Sequence, residues 1–208
     1  KNLSELSIDY SYNVSYINGL SNLGITDFEF NQLTSMELII TSNSLANNHF
    51  THLNLSKKSF ADSNFNFIKN LSYLLLLDLS YTNYNNIDTV KDLTNLEALN
   101  LAGNGISNIT PLTKLVNLKL LILENNYISN INVLLNHNKL EYLSLQDNNL
   151  ASIEVSSTTS YFDNMQNLTY LNLRGNSFTS LVGLNNLSSL NALYIPENLV
   201  TFNNTLNG

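Results

Sequence analysis

Three consecutive segments of this chain follow one nine-residue pattern, L-x-x-L-x-L-x-x-N, and their starts are 22 residues apart. They read LEALNLAGN, LKLLILENN and LEYLSLQDN, beginning at Leu96, Leu118 and Leu140. A fixed period of about 20 to 29 residues with this pattern is typical of a repeat protein in which each repeat adds one turn of a solenoid. A single repeat cannot bury its apolar face alone, so the pattern predicts a stack of repeats with a continuous core.

The apolar and polar positions inside each segment alternate, which predicts a short strand. Leu99 and Leu101 point to one side, and Ala98 and Asn100 to the other. The strand therefore has one buried and one open face. Asn104, at the ninth place, is expected to turn the chain out of the strand and to bond to the backbone of neighbouring turns. The equivalent residues, Asn126 and Asn148, extend this expectation to a ladder of buried amides.

The segment between two strands has apolar residues three positions apart. In the repeat that starts at Leu96 these are Ile106, Ile109, Leu112 and Leu115. This spacing suits short extended or 3₁₀ pieces rather than a long helix.

The pattern recurs along the whole chain. Nine starts have apolar residues at the first, fourth and sixth places: Leu3, Ile25, Phe50, Leu74, Leu96, Leu118, Leu140, Leu168 and Leu190. We therefore expect one domain of about nine repeats over residues 1–208, with each strand centred on the fourth place. Neither end has the polar terminal repeat that solenoids need, so we expect further chain outside these residues.

Three parts of the pattern are less regular. A competing strand, Met36–Asn43, is rejected because only 15 residues would separate its start from Thr51, too few for one turn of the solenoid. The ninth place is Asn only in the last five repeats, so the ladder should be continuous from Asn104 onward. Residues 154–164 form an insertion in which Thr158 or Thr159 is expected to cap a short helix. This insertion is either a tolerated loop or a docking element.

These residues resemble the leucine-rich repeat superfamily. NGISNITPLTKLVNL is most similar to the 22-residue repeats of bacterial internalins and of a regulator of protein phosphatase. The resemblance implies an α/β repeat solenoid, a curved right-handed superhelix. Its parallel β-sheet lines the concave face, and loops and 3₁₀ turns form the convex face. It implies little about function, because this fold presents a surface rather than a chemistry.

Composition excludes several classes of function. The net charge of −7 argues against nucleic-acid or anionic-membrane partners. The chain has no Cys, and no apolar run reaches the roughly 18 residues of a transmembrane segment. The histidines do not have the spacing of metal ligands, no serine lies in a nucleophile motif, and no glycine-rich phosphate-binding loop is present. We therefore expect no enzyme activity and no cofactor. Glu5 and Asp27 occupy the same place in adjacent repeats, either as a weak cation site or, more simply, as exposed carboxylates.

The concave face is predicted to carry the net charge. Ten of the sixteen acidic residues but only three of the nine basic ones fall on its exposed places, which amounts to −7. Such a surface would steer a partner with a basic surface. The third place becomes apolar or aromatic from Leu76 onward, which indicates either a protein-binding patch or stacking that only stabilises the sheet. The candidate partner-binding residues are Glu29, Leu76, Asp78, Leu120, Ile122, Glu124, Tyr142, Tyr170, Arg174 and Tyr194.

Two functions remain open from the sequence. The first is an adhesin- or internalin-like binding module on a bacterial surface or secreted, which recognises a protein through its concave face. The second is a cytoplasmic scaffold or regulatory subunit of an enzyme such as a phosphatase. The partner and the oligomeric state are not determined by the sequence.

Overall fold

Each of the nine repeats contributes one strand to a single parallel sheet. The computed structural model describes residues 5–7, 16–17, 27–29, 39–40, 51–57, 62–156, 159–184 and 186–199. Side chains are described for residues 51–57, 66–156, 159–184 and 186–199. The strands in chain order are β1 (Glu5–Ser7), β2 (Tyr16–Ile17), β3 (Asp27–Glu29), β4 (Ile39–Ile40), β5 (His52–Asn54), β6 (Leu76–Asp78), β7 (Ala98–Asn100), β8 (Leu120–Ile122), β9 (Tyr142–Ser144), β10 (Glu154–Ser156), β11 (Thr159–Ser160), β12 (Tyr170–Asn172) and β13 (Ala192–Tyr194).

The order of the large sheet is β1-β3-β5-β6-β7-β8-β9-β12-β13, with parallel pairing throughout. Every strand is centred on the fourth place of its repeat, and fourth places face one another, as Leu99 faces Leu121. The predicted register is therefore confirmed in all nine repeats. This register follows from the alternation of side chains, since a shift by one residue would turn every buried Leu to solvent.

The competing segment also forms a strand, but outside this sheet. Ile39–Ile40 is β4, which pairs in parallel with β2 in a separate two-stranded sheet. The place in the nine-stranded sheet is taken by β3, centred on Phe28. Two consecutive β-branched residues favour an extended backbone, which explains why this segment resembled a repeat strand.

Short 3₁₀ helices connect the strands on the other side of the solenoid, as the spacing predicted. Pro111 lies in the first turn of one of them, where its fixed φ is favourable and its missing N–H costs nothing. No described helix has the length and apolar character of a membrane-spanning segment. The described 3₁₀ helices are Asp62–Asn70, Asp88–Val90, Thr110–Lys114, Asn132–Asn136 and Glu197–Leu199.

The core is a continuous column of leucine and isoleucine. Leu96, Leu99, Leu101, Leu118 and Leu121 have no exposed surface. Each such side chain stabilises the fold by about 1.5–3 kcal/mol through burial. The chain is thus a curved right-handed α/β solenoid, with its parallel sheet on the concave face and loops and 3₁₀ turns on the convex face, as predicted.

The insertion differs from its prediction. In place of a capped helix, β10 and β11 form an antiparallel ribbon, followed by a turn. Thr158 lies outside the described residues. The backbone N–H of Ser160 donates to Oδ2 of Asp163, so a carboxylate within the turn accepts the bond. Val, Thr and Ser in this segment favour extended backbone over helix, and Phe162 anchors it in the core.

The asparagine ladder runs from Asn104 to Asn176. Each of these amides donates from Nδ2 to the carbonyl of the sixth place of its own and the preceding repeat, as Asn126 does to Leu123 and Leu101. Thr82 joins the ladder by donating its backbone N–H to Oδ1 of Asn104. The other ninth-place residues of the early repeats, Ser11, Leu33 and Lys58, lie outside the described residues.

The prediction that the ladder continues to the last repeat is wrong. Asn198 is exposed, and the one described residue to which its side chain donates is Phe178, whose carbonyl lies at 3.3 Å. Its repeat has Pro196 at the seventh place, and Glu197–Leu199 winds into a 3₁₀ helix. In the repeat that starts at Leu96, the backbone N–H of Ala102 at the seventh place donates to the side chain of Asn100 at the fifth. Proline has no N–H, so Pro196 does not make this bond. The strand exit therefore turns differently, and the ninth residue does not enter the core.

Candidate binding surface

Three tyrosines from adjacent strands lie next to one another on the concave face, and two of their rings are stacked. Tyr142 and Tyr170 are register partners of β9 and β12, and their rings are stacked with centroids 4.1 Å apart and planes 5° apart. Tyr194 on β13 follows, with its centroid 5.4 Å from that of Tyr170 and its plane tilted by 46°. Each ring is half-buried, so one part of its surface is available to a partner.

Arg174 extends this stack at its C-terminal side. Its guanidinium carbon lies 4.7 Å from the centroid of the Tyr194 ring, in a cation–π arrangement. Four of the predicted residues, Tyr142, Tyr170, Tyr194 and Arg174, are therefore contiguous. We call this set the tyrosine cluster.

Burial raises the pKa of Tyr142 above its ordinary value, and the hydroxyl of Tyr170 adds to the effect. The phenol therefore stays neutral over the physiological range of pH. A neutral hydroxyl can both donate and accept a hydrogen bond, so the cluster presents polar tips on an apolar body, as binding surfaces commonly do.

Aliphatic side chains continue the surface next to the cluster. Leu120 on β8 is the register partner of Tyr142, and Ile122 is that of Ser144. Both are partly exposed. Leu76 lies two strands farther away, with Ala98 between them in the same row. The predicted apolar column is thus continuous from Leu76 to the tyrosine cluster.

Two acidic side chains of this face, Asp78 and Glu124, accept hydrogen bonds from neighbouring residues. Asp78 accepts hydrogen bonds from the backbone and hydroxyl of Ser80 and, at 3.2 Å, from the amide of Asn100. Glu124 accepts from the hydroxyl of Ser144. These carboxylates organise their own strands as well as contributing charge.

One acid at the second place is paired with a base. Glu97 forms a salt bridge with Lys119 at 2.7 Å, and this bond raises the pKa of Lys119. The charge of this pair is therefore largely cancelled. Glu141, on the other side of Lys119, has an exposed side chain and keeps its charge available.

Glu29 is separated from the tyrosine cluster. Its strand, β3, lies six strand positions from β12, which is about 29 Å at the usual spacing of ~4.8 Å. Its side chain lies outside the described residues. A single small ligand would not contact Glu29 and Tyr170 together, whereas a protein partner covering the face would.

No group of three His, Cys, Asp or Glu residues in the described part of the chain is placed to hold a metal ion. Glu5 and Asp27 are register partners, as predicted, but their side chains lie outside the described residues. His137 is buried, with Nε2 3.1 Å from the Leu112 carbonyl oxygen. It packs beneath a convex 3₁₀ helix, away from any open surface.

A second concavity lies at the edge of the sheet, where the strands end, and it was not predicted. It is an open groove of about 550 Å³ between Tyr81 and Tyr127, with the Gly103–Asn104–Gly105 turn between them. Asn83, Asn85, Asn125, Asn126 and Asp147 complete its lining. The sequence signal was present: two glycines flank the ladder Asn in only one repeat, and a tyrosine stands near that turn in the repeat on each side.

Comparison with solved structures supports the fold directly. An internalin (inlF) from Listeria monocytogenes superposes with a TM-score of 0.78 at 22% identity, covering 96% of this chain and 56% of that one. Internalin C2 (inlC2) from the same organism gives a TM-score of 0.64 at 24% identity, covering 82% and 80%. A leucine-rich repeat protein from Leptospira interrogans gives 0.66 at 26% identity, covering 83% and 43%.

No family model and no curated protein matches the sequence. The fold is nevertheless shared with the inlF structure over nearly the entire chain. This chain spans little more than half of the length of the inlF structure, so the similarity covers only part of that protein. The chain is therefore a leucine-rich repeat protein by fold, and internalins are among the solved structures that share this fold.

Proposed function

We propose that this chain is a protein-binding module whose concave face recognises a partner through the tyrosine cluster and the apolar column beside it. The observation that carries the proposal is the contiguous arrangement of three partly exposed tyrosine rings and one arginine. Tyrosine and arginine are the residue types in which binding energy at protein interfaces is concentrated. Stacking between neighbouring strands also holds these rings in place before a partner arrives, which lowers the entropy cost of binding.

The partner is expected to have a basic surface. Glu141 is exposed beside the cluster, and the acidic residues outnumber the basic ones on the concave places. Charges at the rim of an interface mainly raise the association rate, while buried aromatic anchors mainly slow dissociation. The two contributions can therefore be separated by kinetics and by salt.

We test the proposal by capturing the partner with the isolated domain and measuring its binding by surface plasmon resonance. Tyr170→Ala, which removes the central ring of the stack, should cost about 2 kcal/mol or more, mostly as faster dissociation. The matched control is Tyr73→Ala, because Tyr73 is 54% exposed but lies outside the sheet strands. Equal effects of the two variants would contradict the proposal.

Charge is tested in the same assay. Glu141→Lys should lower the association rate at low salt, and the effect should fade near 1 M salt, where the Debye length is about 3 Å. Asp88→Lys on the convex side changes the net charge equally and should have a smaller effect. Binding that survives the tyrosine change but is lost on altering the β10–β11 ribbon would move the site to the insertion.

By analogy with the listerial internalins, we propose that the module acts outside the bacterial cell or on its surface. The support is similarity of fold. The test is whether the full gene product carries a secretion signal and whether an antibody against this domain labels intact cells. Labelling only after cell lysis would favour the cytoplasmic regulatory alternative.

A further inference from the structure

The groove at the strand-exit edge has two aromatic walls. Tyr81 and Tyr127 are 51% and 64% exposed, among the most exposed large side chains that the structure describes. They come from the repeats on either side of the Gly103–Asn104–Gly105 turn. The groove is distinct from the concave tyrosine cluster, because its residues follow the strands at the eighth to twelfth places of their repeats.

The floor of the groove depends on the absence of side chains. A Cβ at Gly103 would stand 2.3 Å from Cδ1 of Tyr81, so the Tyr81 ring lies directly against this glycine. A Cβ at Gly105 would meet only Cε2 of Tyr127, at 3.7 Å. Both rings therefore border the same turn, and the space above Gly105 stays open.

The polar groups of the groove are mostly uncommitted. The side chains of Asn83, Asn85 and Asn125 make no hydrogen bond to any other described residue, whereas Asn104 and Asn126 are engaged in the ladder. Three side-chain amides thus offer both donors and acceptors between two aromatic rings.

The backbone at this edge is already paired. The N–H groups of Tyr81, Gly103 and Asn125 donate to carbonyls of the following repeat, at 2.7–2.9 Å. An extended peptide that needed these groups for strand pairing would not obtain them. The lining contains no Lys or Arg, and its one carboxylate is that of Asp147, so an anionic ligand is disfavoured.

We propose that this groove is a binding site for a neutral oligosaccharide. A sugar ring has C–H faces that pack on the electron-rich face of a tyrosine and hydroxyl edges that both donate to and accept from amides. The volume of about 550 Å³ falls within the usual range for small-ligand sites, and its openness at the surface suits a chain of several sugar units. This activity is separate from recognition of a protein by the concave face.

The test uses three neutral hexasaccharides, cellohexaose, maltohexaose and hexa-N-acetylchitohexaose, titrated into the ¹⁵N-labelled domain. At least one should produce saturable amide shifts at Gly103, Gly105 and Tyr127. Tyr127→Ala should weaken this binding at least tenfold, whereas Tyr127→Phe should retain it, because stacking requires the ring and not the hydroxyl. Tyr73→Ala and Tyr170→Ala should leave it unchanged, which separates this site from the proposed protein interface.

Several results would overturn the proposal. One is the absence of saturable shifts with all three saccharides up to about 20 mM, where a site of millimolar Kd would be nearly saturated. Another is saccharide binding that Tyr127→Ala does not weaken. A third is binding of the neutral peptide Gly-Ser-Gly-Ser-Gly at the same amides without binding of any saccharide, which would reassign the groove to a peptide.

Discussion

Replacement of Asn126 by alanine should destabilise the protein by removing one complete rung of the buried ladder. Oδ1 of Asn126 accepts from the backbone N–H of Asn104 at 3.2 Å and from that of Ile106 at 2.9 Å. Its Nδ2 donates to the carbonyls of Leu101, Leu123 and Glu124. The residue is 4% exposed, so water does not replace these bonds without rearrangement.

The magnitude follows from which groups lose their only partner. The Leu101 carbonyl still accepts from Asn104, and the Leu123 carbonyl still accepts from Asn148, so these acceptors stay satisfied. The two N–H donors do not, and each unsatisfied buried donor costs about 1–3 kcal/mol. A water molecule entering the vacated space would reduce the sum, since Asn126 also borders the edge groove. We expect a loss of about 2–3 kcal/mol in the free energy of unfolding.

Asn198→Ala is the matched control, because it removes the same side chain from the same repeat place. Asn198 is exposed and makes one long side-chain bond within the described part of the chain, so its loss should cost less than about 0.5 kcal/mol. Urea unfolding followed by circular dichroism measures both variants. Because a solenoid need not unfold in one step, hydrogen exchange at the amides of Asn104 and Ile106 supplies a local measurement. Equal losses in the two variants, or unchanged exchange at these amides, would refute the reasoning.

Two further predictions concern other buried or strained positions. Gly103→Ala places a side chain at φ +66° and against the Tyr81 ring, so the free energy of unfolding measured in urea should fall by about 1–3 kcal/mol. Adding Tyr81→Ala to the same chain removes the clash with the ring but not the backbone strain, so it should restore only part of this loss. Burial lowers the pKa of His137 below its ordinary value of 6.5, so the unfolded chain binds a proton more readily than the folded one. The contribution of His137 to the free energy of unfolding should therefore be constant above about pH 6.5. It should fall as the pH drops from there towards the pKa of His137 in the folded chain. Thermal unfolding between pH 8 and 5 should show this dependence of stability on pH. His137→Gln should remove the contribution of His137, because glutamine does not titrate but can still donate to the Leu112 carbonyl. An unchanged pH dependence in this variant would contradict the role of His137.

The repeat pattern was sufficient to predict the sheet because each strand obeys a local rule. A residue at the fourth place is buried whenever the repeats before and after it follow the same pattern. The burial of Leu99 and Leu121 could therefore be predicted from the pattern alone. The same reasoning placed Tyr142 and Tyr170 in one row, since equal places in adjacent repeats must be register partners, and it placed Tyr194 beside that row at the fifth place. The stacking of the Tyr142 and Tyr170 rings then follows from strand spacing.

What the sequence could not decide depends on contacts between different places of different repeats. Asn198 matches the pattern but leaves the ladder, because Pro196 and the following 3₁₀ turn change the path of the backbone. The ribbon in the insertion is set by pairing between β10 and β11 and by the burial of Phe162, neither of which has a periodic signal.

The edge groove shows the same division most clearly. Sequence alone determined that Gly103 and Gly105 flank a ladder asparagine, because that is a matter of spacing within one repeat. Only the tertiary structure decided that Tyr81 and Tyr127 border this turn, since they belong to different places, the eighth and the tenth, in repeats on opposite sides of it. A one-dimensional period specifies what lies directly above each residue, whereas side chains that lean diagonally across the stack are specified by packing in three dimensions.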